Sequence, residues 1–591
     1  MNLQYYMKKL IFIFLFLTTC TYGYSQSHSI QWQKSLGGST TEEAYSVGLT
    51  KDGGYIVVGP SQSLDGQVTG HHATASNYDY WVVKLNDTGG IQWENSFGGS
   101  ADEFGSSIQQ TFDGGYIVAG GAESTDGDLS TCSILEWDYW LLKLSSTGSI
   151  EWKNCFGSHG GAAFNKAYFV RQTPDSNYIV AGYINSSDSG EVTGYHGGND
   201  YWIIKVSASG GFLWGKCLGG SGSDIANCVQ PTSDGGYIVA GKSNSTDGEV
   251  TGNHGSTDYW VVKLNDTGGI QWQKSLGGTA EDDGNFIRQT FDGGYIVAGA
   301  SHSVNGNITG HHGDTTTSDY WIVKLDDTGT IEWEKSLGGN GNEVAYSILQ
   351  ASDSGYIVSG SSDSSSGDVT GNHGSDDYWI VKLTKTGSLQ WQKSLGGSGM
   401  DDAYSIQETA DTGLIIAGGS NSTNGDVTGN HGEFDYWVVK LSPCLLSNPV
   451  LIKTGTTLST AIAYSGYQWE LNNTPIPGAT NPSYTVTGGG SYAVIVTDSN
   501  GCSATSSSVS KVNNLNGGQL ISIVPNPTKG AIFVSGAGLT NIRVYNIMGQ
   551  LMKEAANADK ISISDLPPAM YFIKLFNDRD QTIYQQKIIK Q

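Results

Sequence analysis

Basic residues are scarce in this chain. Its 31 lysines and arginines face 56 aspartates and glutamates, a formal net charge of −25 over 591 residues. A surface of that sign repels phosphate backbones, which excludes nucleic acid as a partner. Proline is sparse, at 12 residues, but the 31 tyrosines and 16 tryptophans exclude a disordered chain. Past the N-terminal leader no run approaches roughly 18 apolar residues, so no membrane-spanning helix is expected. CxxC pairs and Cys/His ligand spacings are missing, which argues against a zinc centre. A nucleophile elbow, a phosphate-cradling glycine loop and an HExxH helix are missing too.

What the chain has in quantity is glycine, 83 residues, alongside the aromatics. That mix suits many short strands joined by tight turns. The leader MKKLIFIFLFLTTC (7–20) has a basic start and an apolar run, so residues 1–26 read as a secretory signal peptide. Cys20 stands in LTTC, where a lipobox would place Gly or Ala before the cysteine, so a lipid anchor is disfavoured. Export permits disulfides. Cys444 and Cys502 bracket a later domain and are the expected pair, with Cys217–Cys228 second. The pairing of Cys132 and Cys155 is left open.

Trp32, Trp93, Trp152, Trp214, Trp272, Trp333 and Trp391 recur every 58–62 residues, and a DYW triplet recurs with them from Asp79 to Asp435. Each unit reads as four strands: one like AYSIQET (403–409), then GYIVAG, DYWVVKL and IQWQKSLG. YWVVKL is apolar on both faces, as in a strand covered on both sides. The last unit stops at DYWVVKLSPC (435–444) without its fourth strand, and the chain opens with a spare one, HSIQWQKSLGG (28–38). The expected fold is therefore all-β. A seven-bladed β-propeller over 28–443 is closed by its own N-terminal strand, which removes an open edge. The stretches SLGGSGMDDAYSIQET (394–409) and GSDDYWIVKL (374–383) resemble a bacterial β-propeller repeat family with the pattern LGGSGxDxAYSI…DGxxYVTG…DAFVxKL. That resemblance covers about 30–443. It implies a propeller and brings no catalytic residues with it.

Residues 444–510, with Trp469 central and Cys502 at the end, read as an Ig-like β-sandwich. VNNLNGG (512–518) reads as a linker. Residues 520–591 resemble the type A C-terminal sorting domain of the type IX secretion system of the Bacteroidetes, a small β-sandwich. The matching residues are Pro525, Asn526, Pro527, Tyr545, Gly549, Leu566 and Tyr571. Pro568, Ala569 and Met570 stand where the family has a glycine. The resemblance implies the type IX secretion machinery as a partner and a secreted or outer-surface location.

In a propeller the second-to-third and fourth-to-first loops share one face, and here those are the long ones. They carry six repeated histidines (His72, His196, His254, His312, His373 and His431). One active site needs one constellation, so six copies argue for braces bonded to the DYW aspartates. Carboxylates repeat in the fourth-to-first loops. They would suit glycosidase chemistry or Ca²⁺, but repetition favours a turn role and no full DxDxDG spacing occurs, so no cofactor is assigned. Departures from the repeat carry more information. DLSTCSILEW (128–137), ending at Trp137, and SHGGAAFNK (158–166), containing His159, break the pattern and are candidates for one ligand patch. Arg171 and Arg288 share one position of the first strand, where other units have Gln109, Gln230 and Gln407. Two readings apply: they grip a carboxylate or sulfate on a glycan, or they tie down backbone carbonyls. The expected function is a monomeric binding or adhesion scaffold with a glycan or matrix ligand. A secreted lyase or hydrolase is the alternative.

Overall fold

The computed structural model describes residues 28–72, 76–130, 132, 137–157, 164–186, 190–443, 446, 448–498, 503–511, 522–524, 530–535, 541–546, 549–556, 558–576 and 582–590. The leader, His159, Cys444, Cys502, Pro525, Asn526 and Pro527 lie outside these residues. The chain is all-β: one 3₁₀ turn at Gly127–Leu129 is the only helical element among the described residues, and no helix there is long and apolar enough to cross a membrane.

Seven four-stranded antiparallel sheets follow one another. The first runs from Ser46–Leu49 to Ile91–Phe97, and the sixth from Glu343–Gln350 to Leu389–Leu395. The seventh takes three strands from Asp401–Glu408, Leu414–Ser420 and Asp435–Leu441. Its fourth is Ile30–Leu36, paired antiparallel with Asp435–Leu441 so that Trp32 faces Lys440 and Ser35 faces Trp437.

The DYW strands are buried along their whole length, as in Asp79–Leu85 and Asp258–Leu264. Each tyrosine ring lies 4.5–4.7 Å from the tryptophan ring of the following sheet. Each tyrosine hydroxyl donates to that tryptophan's carbonyl oxygen at 2.8–3.2 Å. The series ends where it began: Tyr436 of the seventh sheet bonds Trp81 of the first at 2.9 Å. Ile415, Ala417, Tyr436 and Val438 accordingly share one core with Val47, Val57, Trp81 and Val83.

The lysine after each apolar run crosses to the turn between the first two strands. Lys84 meets Asp52 at 2.9 Å and Lys263 meets Asp234 at 2.8 Å. The glycine of each NDTGG-type turn has φ > 0 and seats the chain on the preceding sheet's outer tryptophan. A Cβ at Gly329 (φ +79) would lie 2.9 Å from the Trp272 ring. Tight approach and left-handed backbone both select glycine there.

Beyond the sheets of the repeat, strands from Leu451 to Lys511 form two sheets around the fully buried Trp469. The tail forms a three-stranded and a four-stranded sheet with Ile532, Val534, Ile542, Val544 and Ile573 in its core. One disulfide joins Cys132 to Cys155. Cys217 and Cys228 are buried and not disulfide-bonded, which corrects the second expected pair. Cys217 sits on the last strand of the third sheet and Cys228 on the first strand of the fourth, so the width of a sheet separates them.

Candidate functional site

First strands of neighbouring sheets touch one another in succession, and Asp401–Glu408 touches Ser46–Leu49. These strands alternate buried and half-buried residues, as in Glu343–Gln350 and Asp282–Gln289. Their pairing slips by one residue at the same place, for example between Ala345 and Ser347 and between Ala167 and Phe169. The extra residue of such a bulge loses its cross-strand partner and its side chain is redirected. Tyr346 and Tyr168 occupy that position.

A cavity of about 480 Å³ opens among these strands. Tyr45, Tyr168, Tyr346 and Tyr404 line it, with Lys166, Arg171 and Lys242. The rings form a packed arc: Tyr45 meets Tyr404 edge-on at 5.2 Å, and Tyr404 meets Tyr346 at 4.9 Å. Lys166 lies over Phe104 at 4.6 Å and over Tyr168 at 5.4 Å. Phe169 and Phe286 contact edge-on at 5.4 Å, and the Arg171 guanidinium covers Phe169 at 4.1 Å.

Charge is unevenly distributed around this wall. Lys166, Arg171 and Lys242 of sheets three and four line the cavity, with the Arg288 charge felt at Arg171, whereas the charges of Glu43 and Asp402 are felt at Tyr45 and Tyr404. Burial raises the Glu43 carboxyl, against the pull of Tyr45 and Lys166. Burial also lifts Asp402 to about 6, helped by the charges of Asp376 and Glu43. Lys166 is pushed down to about 8 by burial, opposed by Glu43. Arg171 falls to about 10, again chiefly through burial, with Arg288 adding repulsion. Lys242 is neutralised by Asp283 at 2.8 Å. Tyrosine faces beside cations and hydrogen-bonding groups are the surface on which a sugar ring stacks and is oriented.

The tail supplies the second informative site. Its Tyr571 is buried and donates to the Pro567 carbonyl at 2.9 Å. Gly549 takes φ +79 in a turn closed by its N–H on the Asn546 carbonyl at 3.0 Å. Residues 522–591 match the secretion system C-terminal sorting domain. The sorting domain addresses the chain to the type IX secretion system, which delivers it to the cell surface or the extracellular space. Over 179 residues, 29% of this chain, the protein is 28% identical to the regulatory protein FlaEY of Caulobacter vibrioides and spans 18% of that relative's length. Its solved structural neighbours are propeller-like. Sqt1 from Chaetomium thermophilum is 9% identical with a TM-score of 0.36, covering 73% of this chain and 97% of that one. The Pan2 WD40 domain of Neurospora crassa is 11% identical with a TM-score of 0.39, covering 71% and 96%.

The sorting domain's expected residues Gly549 and Tyr571 thus fall within the described structure. Arg171 lines the cavity and donates from Nη1 to the Val170 carbonyl at 2.9 Å, so the carbonyl-binding reading has one real contact. Arg288 occupies the equivalent position two sheets away. Trp137 is brought beside Phe164 by a parallel bridge, and its ring lies 5.6 Å from Phe104, one ring back from the cavity. The described ends of the two divergent segments, Trp137 and Phe164, are thus bridged. The repeated histidines are braces as expected: Nδ1 of His72, His196, His254, His312, His373 and His431 lies 2.6–2.9 Å from its DYW aspartate. Among the described residues no group of three or more His, Cys, Asp or Glu is placed to hold a metal ion. Sequence reasoning missed Tyr45, Lys166, Tyr168, Tyr346 and Tyr404. The available signal was the column that reads Tyr, Ser, Tyr, Asn, Asn, Tyr, Tyr along the seven units, in a repeat that otherwise varies little.

Proposed function

We propose that the chain is an exported binding protein whose ligand, a glycan or matrix component, enters the central cavity of a closed seven-bladed propeller spanning 28–443. In this reading 444–510 is an Ig-like spacer and 520–591 is the sorting tail, on a Bacteroidetes-type export route. The uninterrupted Tyr–Trp series and the N-terminal strand in the seventh sheet support closure. One observation carries the binding reading. Tyr45, Tyr168, Tyr346 and Tyr404 from four different sheets converge with Lys166 and Arg171 on one cavity, where the other three sheets present Ser106, Asn227 and Asn285.

A second reading, a secreted carbohydrate-active hydrolase or lyase, draws on Glu43 and Asp402. Both carboxyls are raised by burial, and the Glu43 charge adds to the rise of Asp402, an electrostatic arrangement that can split acid and base roles. A glycan array run beside a reducing-end assay on the mature protein separates the two. Retention without product supports binding. Product release that Glu43→Gln and Asp402→Asn abolish supports the enzyme. No retention of any glycan or matrix preparation overturns the binding reading.

A further inference from the structure

One register position of the first strands carries no carboxylate in any of the seven sheets; Gly48 and Leu349 fill it in two of them, and its Arg171 and Gln407 line the cavity. Arg171 and Arg288 share the position with Gln109, Gln230 and Gln407. Among the described residues neither arginine forms an ion pair with a carboxylate. Arg171 lines the cavity, uses one N–H on its own neighbour's carbonyl and has further N–H donors with no carboxylate to meet. Two half-buried guanidiniums without a counter-charge are costly to hold, and in a chain of net charge −25 acidic partners were plentiful. Resting on the glycan-binding reading above, we infer that the group reaching this position is an anion of the carboxylate or sulfate class carried on a sugar. The fork geometry of arginine matches both oxyanions.

The probes are an oligomer of hexuronic acid, its carboxyl-reduced counterpart and a sulfated neutral oligosaccharide, titrated calorimetrically into the mature protein. The expected result is at least about tenfold tighter binding of an acidic probe than of the reduced one, with the first and third probes telling carboxylate from sulfate. R171Q/R288Q should erase that ratio while keeping the fold, because glutamine already fills this position in three units. Equal binding of acidic and reduced probes overturns this inference and leaves the glycan reading standing. Failure of every probe overturns both.

A separate observation concerns the junctions between sheets. Glu103 and Asp79 are both fully buried and flank one point: a methyl on Gly98 would lie 2.5 Å from Glu103 Oε2 and 2.6 Å from Asp79 Oδ1. The same pairing recurs as Glu42 with Asp435, Asp224 with Asp200, and Asp282 with Asp258, and again as Glu343 with Asp319 and Asp401 with Asp377. In these pairs Oδ1 of Asp79, Asp200, Asp258, Asp319, Asp377 and Asp435 is buried with no hydrogen-bond partner. Asp138 is the exception. Its junction has Asn165 in place of the acid, and the Asn165 amide donates to Asp138 Oδ1 at 3.0 Å. The group opposite the orphan oxygen is therefore a donor where its chemistry is visible, and a carboxyl can donate only when protonated.

We propose that each of the six acidic junctions holds one proton, shared between its two carboxyls. Like charges brought together in a buried site make one carboxyl retain its proton. Burial raises Glu103 to about 7, and Asp200 and Asp377 to about 6. The far oxygen of each DYW aspartate is occupied by its brace histidine. Behind His72, His196 and His312 stand Asp128, Glu249 and Asp368, with Lys153 at Asp128. The hydroxyl of Tyr80 is sealed in beside Glu103.

For carboxyls whose folded pKa is raised, the folded chain holds protons that the unfolded chain releases above about pH 4. The junctions' contribution to stability should then decline from about pH 4 to about pH 7 and level off. The test is infrared spectroscopy of the full mature chain at about pH 6 with urea unfolding across that window. A protonated-carboxyl band and a falling stability are expected, and D224N, which copies Asn165, should keep the fold with a weaker band and a shallower slope. Absence of the band with stability rising over the window overturns the proposal. A melting temperature lowered by a chelator would place a cation there and also overturn it.

Discussion

Most of what a single side chain does here is repeated, so single substitutions have predictable costs. Gly329 combines φ +79 with a ring 2.9 Å from its missing Cβ. Gly329→Ala should therefore cost about 1–3 kcal/mol in urea unfolding, and an unchanged midpoint would remove the packing role assigned to these turn glycines. His312 titrates differently from the surface. Its hydrogen bond to Asp319 raises it, with burial partly offsetting. Its contribution should be complete below about pH 6.5 and lost as pH rises through the raised folded value. His312→Gln should flatten the alkaline side of the stability profile, measured as the unfolding midpoint at about pH 6 against about pH 8. The brace itself was legible in the sequence, because a histidine and an aspartate recurring in step can be matched without coordinates. The tyrosine lumen was not. Simple alternation places Tyr45 and Tyr404 on one strand face, but the bulge decides which residues turn inward, and a bulge leaves no mark in a pattern of apolar and polar residues.

Strands show the same division between what the pattern contains and what needs a partner. The four-strand unit and the borrowed strand of the seventh sheet follow from motif order alone. The Cys132–Cys155 bridge does not, since it ties a divergent loop to a strand whose position only the sheet defines. A subtler match lies in the turns after the first strands. The backbone N–H of Phe112, Ser233 and Phe291 each donates to a glutamine of the following sheet, Gln172, Gln289 and Gln350, at 2.7–2.8 Å. Pro174 has no N–H to give, and the following sheet has Pro231 where the glutamine would be. Ile30–Leu36 carries the largest consequence of any single element. Removing residues 28–36 strips Asp435–Leu441 of its partner and Trp437 Nε1 of its 2.8 Å bond to Gln33. The exposed edge is buried, apolar strand, so the truncated protein should self-associate in light scattering and melt earlier. A monomer with unchanged melting would mean the strand is dispensable.

At the scale of the whole molecule, charge and site pull in opposite directions. A chain of net charge −25 places Lys166 and Arg171 in the wall of its cavity. A polyanionic glycan would be repelled at long range and gripped at short range. Screening lengths fall from about 30 Å at 0.01 M salt to about 8 Å at 0.15 M. The association rate of an acidic oligosaccharide should therefore rise over that interval, followed by stopped-flow fluorescence of the cavity aromatics. A rate that falls with salt would show that the local cations dominate even at a distance.

The pairing of Trp32 with Lys440 also imposes an order of events on assembly. A chain that emerges N-terminus first must keep its opening strand unpaired while some four hundred residues follow, because the strand it pairs with is the last of the repeat to arrive. Early sheets can form as local units, yet the seventh stays one strand short until Asp435–Leu441 has been made. The last pairing of the repeat to form therefore joins its two most distant strands, and a chain cut short before Asp435 would leave its opening strand without a partner.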